Sequence, residues 1–396
     1  MSNDKLIAEI SEDKIIYASY QKKDDSNYQI LAKKVSKNIG IKKGKITDFN
    51  LTKKKISQDL KDLEKQSEKV YKNISLVINE PEMLCTNISG FKKLNGSKVE
   101  KRDIDYILNE VKSSIQKNQQ KNSIIHIINS SFILDNKKQN RIPLGKNGDH
   151  LGLHMTFITL TTNKIKNIKS IFNDTGLKIE RVINKPLACG IDLMIKEKKI
   201  KNFILICFDK ETSSVAIYED LSLVFVKTFP FGTNSIYRDI NQLCLIEEEE
   251  IKNILIKLNF DDFHNKGNNY IDKNLFTKTQ FKKLSINQLK NIILARVHEM
   301  SDYLFNQNKN LNYLNSNIIK THIFFEDEYI LSNLGNIFKK SLKIDVSKTQ
   351  IELKSLNDFS ALNGAAELIY KGWDREAIPL KNKKKSVISS FFELFF

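Results

Sequence analysis

Short apolar runs alternate along the chain with longer segments that carry apolar residues at helical spacing. The run at residues 203–208 is apolar throughout, which is typical of a strand that is buried on both faces. A polar turn follows it, and a second strand is predicted at residues 215–218. A similar pair of strands is predicted at residues 5–11 and 14–20. Two β-hairpins, one in each half of the chain, are therefore expected.

Further strands and helices alternate between and after these hairpins. Strands are expected at residues 73–79, 83–89, 123–130, 131–134, 150–161, 179–184, 221–230 and 321–325. Helices are expected at residues 51–71, 100–116, 162–175, 186–197, 234–245, 247–258, 287–306, 330–341 and 359–371. Both halves run strand, strand, helix, strand, helix, which predicts an α/β fold with mixed sheets.

Composition narrows the class of protein. The chain has 396 residues, enough for two or more hydrophobic cores. Its 64 Lys and Arg against 47 Asp and Glu give a net charge of +17, which favours nucleic acid or anionic lipid as a partner. The lysines are spread along the whole chain rather than clustered with aromatic residues, so we expect a solvated surface and no nucleic-acid partner.

Cysteine and histidine spacing indicates no metal site. The four cysteines are far apart in sequence, and no pair has metal-ligand spacing, so reduced thiols in a cytoplasmic protein are expected. The six histidines form no pair at helical spacing. No signal peptide and no membrane-spanning segment are expected. The cysteines are Cys85, Cys189, Cys207 and Cys244.

Five short motifs together resemble the bacterial cell-division family FtsA. They are residues 40–44 (GIKKG), 126–135 (HIINSSFILD), 142–151 (IPLGKNGDHL), 184–188 (NKPLA) and 229–240 (FPFGTNSIYRDI), the last followed by 249–252 (EEIK). They occur in the order of the family's motifs and cover most of the chain, although Asn129 stands where the family usually has proline. The block at residues 80–161 has strands and a helix of its own, and it lies where this family inserts a small subdomain.

The resemblance implies an actin/Hsp70-like two-lobed α/β fold with mixed sheets, an FtsA-type inserted small subdomain and a C-terminal amphipathic helix. It also implies domain boundaries. The first lobe would comprise residues 1–79 and 162–200, the insert 80–161, the second lobe 201–245 and 317–378, its small subdomain 246–316, a basic linker 379–385 and a terminal helix 386–396.

The family binds ATP and magnesium in the cleft between its lobes. The positions that match its nucleotide site are Glu9, Ser11, Lys14, Thr212, Ser213, Glu249 and Lys252. The matching loops, residues 9–14 (EISEDK), 207–214 (CFDKETSS) and 326–328 (EDE), contain no glycine and several carboxylates.

The absence of glycine and the presence of carboxylates in these loops disfavour binding and hydrolysis of ATP. Side chains in place of glycine fill space that backbone contact with phosphate requires, and Cys207 stands where the family has aspartate. We expect a degenerate pocket with no catalytic residue and absent or very slow hydrolysis. Binding of ATP and magnesium through peripheral residues such as Glu249 and Lys252 remains open.

The last eleven residues, 386–396, have the pattern of a short amphipathic helix. Its apolar arc consists of Val387, Ile388, Phe391, Phe392, Phe395 and Phe396, and the lysines Lys383, Lys384 and Lys385 precede it. A helix of this kind can lie in the membrane interface, where lysines reach anionic headgroups. Docking on the protein's own core or in the groove of a partner are the alternatives. The resemblance also implies a membrane-targeting helix here.

The function that the resemblance implies is a tether between division filaments and the inner face of the cytoplasmic membrane at the division site. The expected partners are the C-terminal peptide of FtsZ, bound at residues 246–316, further copies of the chain in a filament, anionic lipid and other division proteins. An adaptor of the pilus-assembly type and an active ATPase on the same fold are the alternatives.

Overall fold

The structure, a computed structural model, describes residues 4–23, 28–42, 45–139, 141–198, 200–258, 270–279, 283–309, 320–342 and 350–377. The linker and terminal helix expected at residues 379–396, including all the membrane-binding positions, lie outside these ranges. Among the helices within them, none is long and apolar enough to cross a membrane.

The first lobe is built on a five-stranded sheet with the order β11-β6-β1-β2-β3. Helices α1 and α3 cover one face, and α4 and α9 cover the other. A small hairpin of β4 and β5 precedes α1. The elements are β1 (Asp4–Ile10), β2 (Lys14–Lys22), β3 (Tyr28–Lys37), β4 (Ile41–Lys42), β5 (Lys45–Ile46), α1 (Phe49–Ser67), β6 (Asn73–Ile78), α3 (Thr162–Asp174), β11 (Lys178–Asn184), α4 (Lys185–Lys196) and α9 (Ser360–Tyr370).

The second lobe repeats this plan with the sheet β14-β13-β12-β15-β16. Its central strand β12 pairs with β13 antiparallel and with β15 parallel. Helices α5 to α8 pack together on one side of the sheet. The elements are β12 (Phe203–Phe208), β13 (Ser213–Glu219), β14 (Ser222–Phe229), α5 (Asn234–Cys244), α6 (Glu248–Lys257), α7 (Ile286–Ser301), β15 (Lys320–Phe325), α8 (Glu328–Ser341) and β16 (Ile351–Ser355).

Strand β12 contributes to the hydrophobic cores of both lobes. Phe203, Leu205 and Cys207 face the core that α4 and α9 share with the first lobe. The alternate residues Ile204 and Ile206 belong to the core beneath α5 to α8. All six residues of the strand are buried, which confirms the prediction from its continuous apolar run.

The insert is a four-stranded sheet, β7-β10-β8-β9, with α2 on one face. Gly90 on β7 makes this packing possible, because a Cβ atom there would lie 2.4 Å from the Ile107 side chain of α2. The elements are β7 (Leu84–Lys93), α2 (Lys101–Asn118), β8 (Asn122–Leu134), β9 (Lys137–Gln139) and β10 (His150–Thr161).

Several elements differ from the sequence prediction. The two strands expected at residues 123–130 and 131–134 form the single strand β8, whose pairing with β10 shifts register beside Asn129. The helix expected at 287–306 stops being α-helical at Ser301 and continues as a π-helical turn. The edge strands β3 and β16 have no counterpart among the predicted strands. Both carry many polar, half-exposed residues, so their apolar signal is weak.

The last residues of the chain that the structure describes are held against the insert and the first lobe. The backbone N–H of Asn129 donates to the carbonyl of Arg375 at 2.6 Å, and that of Ala377 donates to Ile127 at 2.7 Å. The Glu376 carboxylate pairs with Arg181 and, at 2.8 Å, with Nδ1 of buried His126. Residues 375–377 are therefore held beside β8.

Candidate functional site

A cavity of about 1020 Å³ lies in the cleft between the two lobes. The β1–β2 turn forms one wall, and the β12–β13 turn of residues 209–212 forms the opposite wall. Gly232 supports the second turn, because its Cα packs so closely that a Cβ would lie 2.3 Å from the Asp209 carbonyl oxygen. Apolar side chains of the hairpin β4–β5 and of α3 line the side next to the first lobe.

Lys185 lies at the centre of this cleft. It is the first residue of α4, whose start is capped by the Asn184 side chain accepting from the backbone N–H of Leu187. Its Nζ is 2.8 Å from Glu9 of the first lobe and 2.8 Å from Asp209 of the second. All three side chains are buried. Lys185 therefore joins two carboxylates that belong to opposite lobes.

The ionisation of this trio follows from its burial. Burial disfavours the charged lysine, but the carboxylates of Asp209 and Glu9 outweigh it and raise the pKa of Lys185 well above its usual value. Burial also raises the pKa of Glu9, against the opposing effect of Lys185. The ammonium group is thus a fixed positive charge at neutral pH, and its removal would leave carboxylates in an unfavourable environment.

Two more lysines cross the cleft on either side of Lys185. Lys14 of the β1–β2 hairpin lies 2.8 Å from Glu326, at the end of β15, and 2.5 Å from Asp358, before α9. Lys210 of the β12–β13 turn lies 2.6 Å from Asp13. Both lysines have a raised pKa: burial opposes the charge in each, and the paired carboxylates overcome it.

A polar network continues from Asp209 along the cavity wall. The Asn79 amide donates to Asp209 at 2.9 Å and to the Thr212 hydroxyl at 3.2 Å. The Thr228 hydroxyl donates to the Asn79 carbonyl oxygen at 2.7 Å. Asn79 follows β6 of the first lobe, so this network also spans the cleft.

The structure brings together only some of the residues that the sequence singled out. Glu9, Ser11 and Thr212 line the cavity, and Lys14 lies beside it. Ser213 is fully buried in β13 and is not among the lining residues.

The two peripheral residues expected to contact nucleotide lie away from the cavity. Both belong to α6, where Glu249 pairs with Lys278 and Lys252 pairs with Glu248. The Nζ of Lys252 also lies 5.3 Å from the centre of the Tyr237 ring. Neither residue lines the cavity, so the peripheral contacts suggested for ATP are not formed by the cavity wall.

Cys207 does not occupy a cleft position. Its thiol is buried in β12, close to that of Cys189. The carboxylate that reaches the cavity from this strand is Asp209, two residues later. Sequence reasoning also missed Lys185 as a site residue. The signal that could have found it is a lysine between a capping asparagine and a proline at a helix start, next to two acidic loops.

The ion pairs of this cleft disfavour a magnesium nucleotide. Three lysines and five carboxylates form the ion pairs described above, so each of these three ammonium groups is already paired. A phosphate group that took a lysine from one of these pairs would leave its carboxylate unpaired. Repulsion between one phosphate charge and that carboxylate, about 5 Å away, would cost about 3 kcal/mol at an effective dielectric constant near 20. The turns also lack the glycines that let backbone N–H groups approach phosphate. The carboxylates involved are Glu9, Asp13, Asp209, Glu326 and Asp358.

A second group of titratable side chains lies at the far edge of the second lobe. Glu197, His322 and Glu352 offer ligand atoms within 4.8 Å of one another. Lys320 and Lys354 already pair with both carboxylates at 2.7–3.0 Å. The two lysines neutralise the two carboxylates, so this group does not favour a cation.

Two similar lobes, helices α4 and α9 between them, and a central cleft define an actin-like ATPase fold. A solved structure described as the PilM-PilN type IV pilus biogenesis complex has this fold with a TM-score of 0.57. It covers 94% of this chain and 98% of that chain at 10% identity. At that identity the likeness establishes the fold alone.

Sequence comparison identifies the insert and the relatives of the chain. The family model for the SHS2 domain inserted in FTSA matches residues 82–159. The cell division protein FtsA of Neisseria meningitidis serogroup B is 22% identical over 236 residues, 60% of this chain and 56% of that protein. FtsA of Escherichia coli strain K12 is 20% identical over 201 residues, 51% of this chain and 47% of that protein.

These matches confirm the resemblance to FtsA that the sequence motifs indicated. The chain carries an FtsA-type SHS2 insert in an actin-like fold and is similar in sequence to cell-division proteins of that name. The matched region spans about half the length of these curated relatives.

Proposed function

We propose that the chain is a cell-division protein that links FtsZ filaments to the inner face of the cytoplasmic membrane at the division site. The observation that carries this proposal is the SHS2 insert of the FtsA type at residues 82–159, within a chain similar to FtsA proteins. The same observation favours division over the pilus-assembly alternative, because the likeness to the pilus complex concerns the fold alone. Self-association into filaments and contacts with other division proteins are part of the proposal.

Membrane attachment is assigned to the terminal segment at residues 386–396. Its apolar arc would enter the headgroup boundary, and the lysines before it would add an attraction of about 1 kcal/mol each to anionic lipid. A helix this short is unstable alone in water, so it would fold as it binds. Many tails in one filament would then supply avidity. The fixed position of residues 375–377 beside β8 supports an attachment point at a fixed place on the body.

The test of this attachment is co-sedimentation with liposomes of anionic phospholipid. The full chain should pellet, and Phe391→Glu with Phe395→Glu should stay in solution. Ser389→Gln with Ser390→Gln alters the polar arc of the same segment and should pellet like the wild type. Equal pelleting of the phenylalanine variant and the wild type would rule out the segment as the anchor.

FtsZ docking is assigned to residues 246–316, of which the structure describes α6, α7 and a short turn at Lys273–Leu275. Lysines of this segment would attract an acidic peptide and mainly raise its association rate. Lys278 is engaged by Glu249, and the Nζ of Lys283 lies 4.5 Å from the centre of the Tyr270 ring. Lys278 is already in an ion pair, whereas Lys273 and Lys283 occur in none of the ion pairs described. Lys273 and Lys283 are therefore the better positions for charge reversal.

Binding of a fluorescent FtsZ C-terminal peptide, measured by anisotropy, tests this assignment. Lys273→Glu with Lys283→Glu should weaken binding several-fold at low salt. Lys117→Glu, on α2 of the insert, is the matched control and should leave binding unchanged. Unchanged affinity in the double variant would place the site elsewhere or make it apolar.

Hydrolysis of ATP is proposed to be absent or very slow. The glycine-free turns and the paired lysines of the cleft support this. Steady phosphate release by the full chain that disappears in a Glu9→Ala, Thr212→Ala double variant would contradict it.

A further inference from the structure

We propose that ion pairs of the chain itself hold the two lobes closed, in the place where an actin-like ATPase holds its nucleotide. Closure of the cleft would then be independent of ATP. Three lysines form this inter-lobe latch: Lys14, Lys185 and Lys210. The inference concerns the cleft alone and does not depend on the proposed role in division.

Each lysine of the latch contacts a carboxylate of the opposite lobe. Lys14 extends from the first lobe to Glu326 of the second. Lys210 extends from the second lobe to Asp13 of the first. Since each lobe supplies both signs, the bridges interlock, and neither lobe can rotate away without breaking pairs of both polarities.

Lys185 differs from the other two because it joins the lobes from the helix between them. Its side chain is 6% exposed, against 38% for that of Lys210. Solvent and salt therefore screen the Asp13–Lys210 bridge far more than the central one. The central lysine fixes the geometry, and the outer bridge is the part that a substitution can alter without exposing a buried charge.

Backbone contacts within the second lobe hold Glu326, the carboxylate that Lys14 reaches, in place. The Glu326 backbone N–H donates to the Phe208 carbonyl at 2.9 Å, and the other carboxylate oxygen of Glu326 accepts from the Lys210 backbone N–H at 3.1 Å. Glu326 thus fixes the turn that carries Lys210 and at the same time pairs with Lys14. A backbone N–H that could serve a phosphate oxygen is already satisfied by a carboxylate.

The experiment measures the separation of the lobes directly. Dyes are attached through unnatural amino acids at Lys61 on α1 and Asn253 on α6, two exposed positions in opposite lobes. Single-molecule energy transfer in the full chain should show one high-efficiency population without nucleotide. Millimolar ATP with magnesium should leave it unchanged. A low-efficiency population that ATP converts to high efficiency would overturn the proposal.

Charge reversal then tests the outer bridge. Lys210→Asp places two carboxylates opposite each other and should shift the population to lower transfer efficiency. Asp13→Lys in the same chain restores an attractive pair of swapped polarity and should recover most of the shift. Lys210→Met, which removes the attraction without adding repulsion, should produce a smaller shift in the same direction. An unshifted Lys210→Asp population, or no recovery in the swapped pair, would refute the latch.

The control is an ion pair of similar length within one lobe. Lys5 lies 2.8 Å from Glu180, and both side chains are about as exposed as the Asp13–Lys210 pair. Lys5→Glu should leave the transfer efficiency unchanged. A shift as large as that of Lys210→Asp would show that any surface charge change moves the lobes, which contradicts a specific latch. Liposome and peptide binding are measured separately, so failure here is distinguishable from failure of the tethering role.

Discussion

Replacement of Lys185 by methionine removes the only ammonium group that contacts both Glu9 and Asp209 among the ion pairs described for the cleft. Methionine retains most of the side-chain volume, so the change is mainly one of charge. Breaking a buried ion pair by removing one partner costs about 3–5 kcal/mol, because it leaves an uncompensated buried charge. We therefore expect Lys185→Met to be among the more destabilising single substitutions in the chain.

The pH dependence follows from the sign of the carboxyl shift. Burial already raises the pKa of Glu9 in the folded protein, and loss of Lys185 raises it further. A carboxyl with a raised folded pKa favours folding below its unfolded pKa and loses that contribution as pH rises through the folded value. The defect of Lys185→Met should therefore be large at pH 7 and much smaller near pH 5.

Thermal unfolding at the two pH values measures this effect. At pH 7 the Tm should fall by about 10 °C, since 1 kcal/mol corresponds to about 2–4 °C for units of this size. The triple variant Lys185→Met, Glu9→Gln, Asp209→Asn has no buried charge at the site and should regain most of the loss. Lys138→Met, which removes one partner of the exposed pair with Asp220, is the control and should change Tm little. A Tm for Lys185→Met within 2 °C of the wild type at pH 7, or the same loss at both pH values, would refute the reasoning.

Two further predictions concern packing and acid stability. His322 packs among Glu197, Glu352, Lys320 and Lys354, and burial lowers its pKa to about 4. The free energy of unfolding should therefore fall by up to about 3 kcal/mol as the pH falls from 6.5 towards 4. His322→Gln should flatten the Tm profile over that range, and exposed His150→Gln should not. Gly364→Ala should destabilise by about 1–3 kcal/mol, because its Cβ would lie 1.8 Å from the Ala188 carbonyl oxygen and force α4 and α9 apart. Gly335→Ala, whose Cβ would contact only side-chain ends at 3.3–3.4 Å, should change stability by less than about 1 kcal/mol.

The sequence predicted elements well where burial is complete. The strand at residues 203–208 and the long strand at residues 150–161 were predicted with the bounds that the structure has. The continuous apolar run of the first reports burial on both faces. Strand β3 was missed because lysines interrupt its apolar residues, and β16 because its five residues carry only two apolar side chains.

The candidate site was only partly predictable, and the reason is sequence separation. The carboxylates and missing glycines of the turns are visible in the sequence. Their partners are not, since Lys14 meets Asp358 across 344 positions and Lys210 meets Asp13 across 197. Local patterns show that a turn is charged, but only the fold shows whether a charge is free or paired.

This pairing bears on why the turns of the cleft contain no glycine. A turn that had merely accumulated substitutions would carry unpaired buried charges, and each would cost free energy. In the cleft the reverse holds for Lys14, Lys185 and Lys210, since each lysine has a carboxylate within 2.8 Å on the opposite lobe. The charged residues of the two turns therefore depend on one another. Replacing Lys210 by glycine alone would leave Asp13 without this partner. If the proposed latch holds, single substitutions at these lysines should open the cleft rather than make it bind nucleotide.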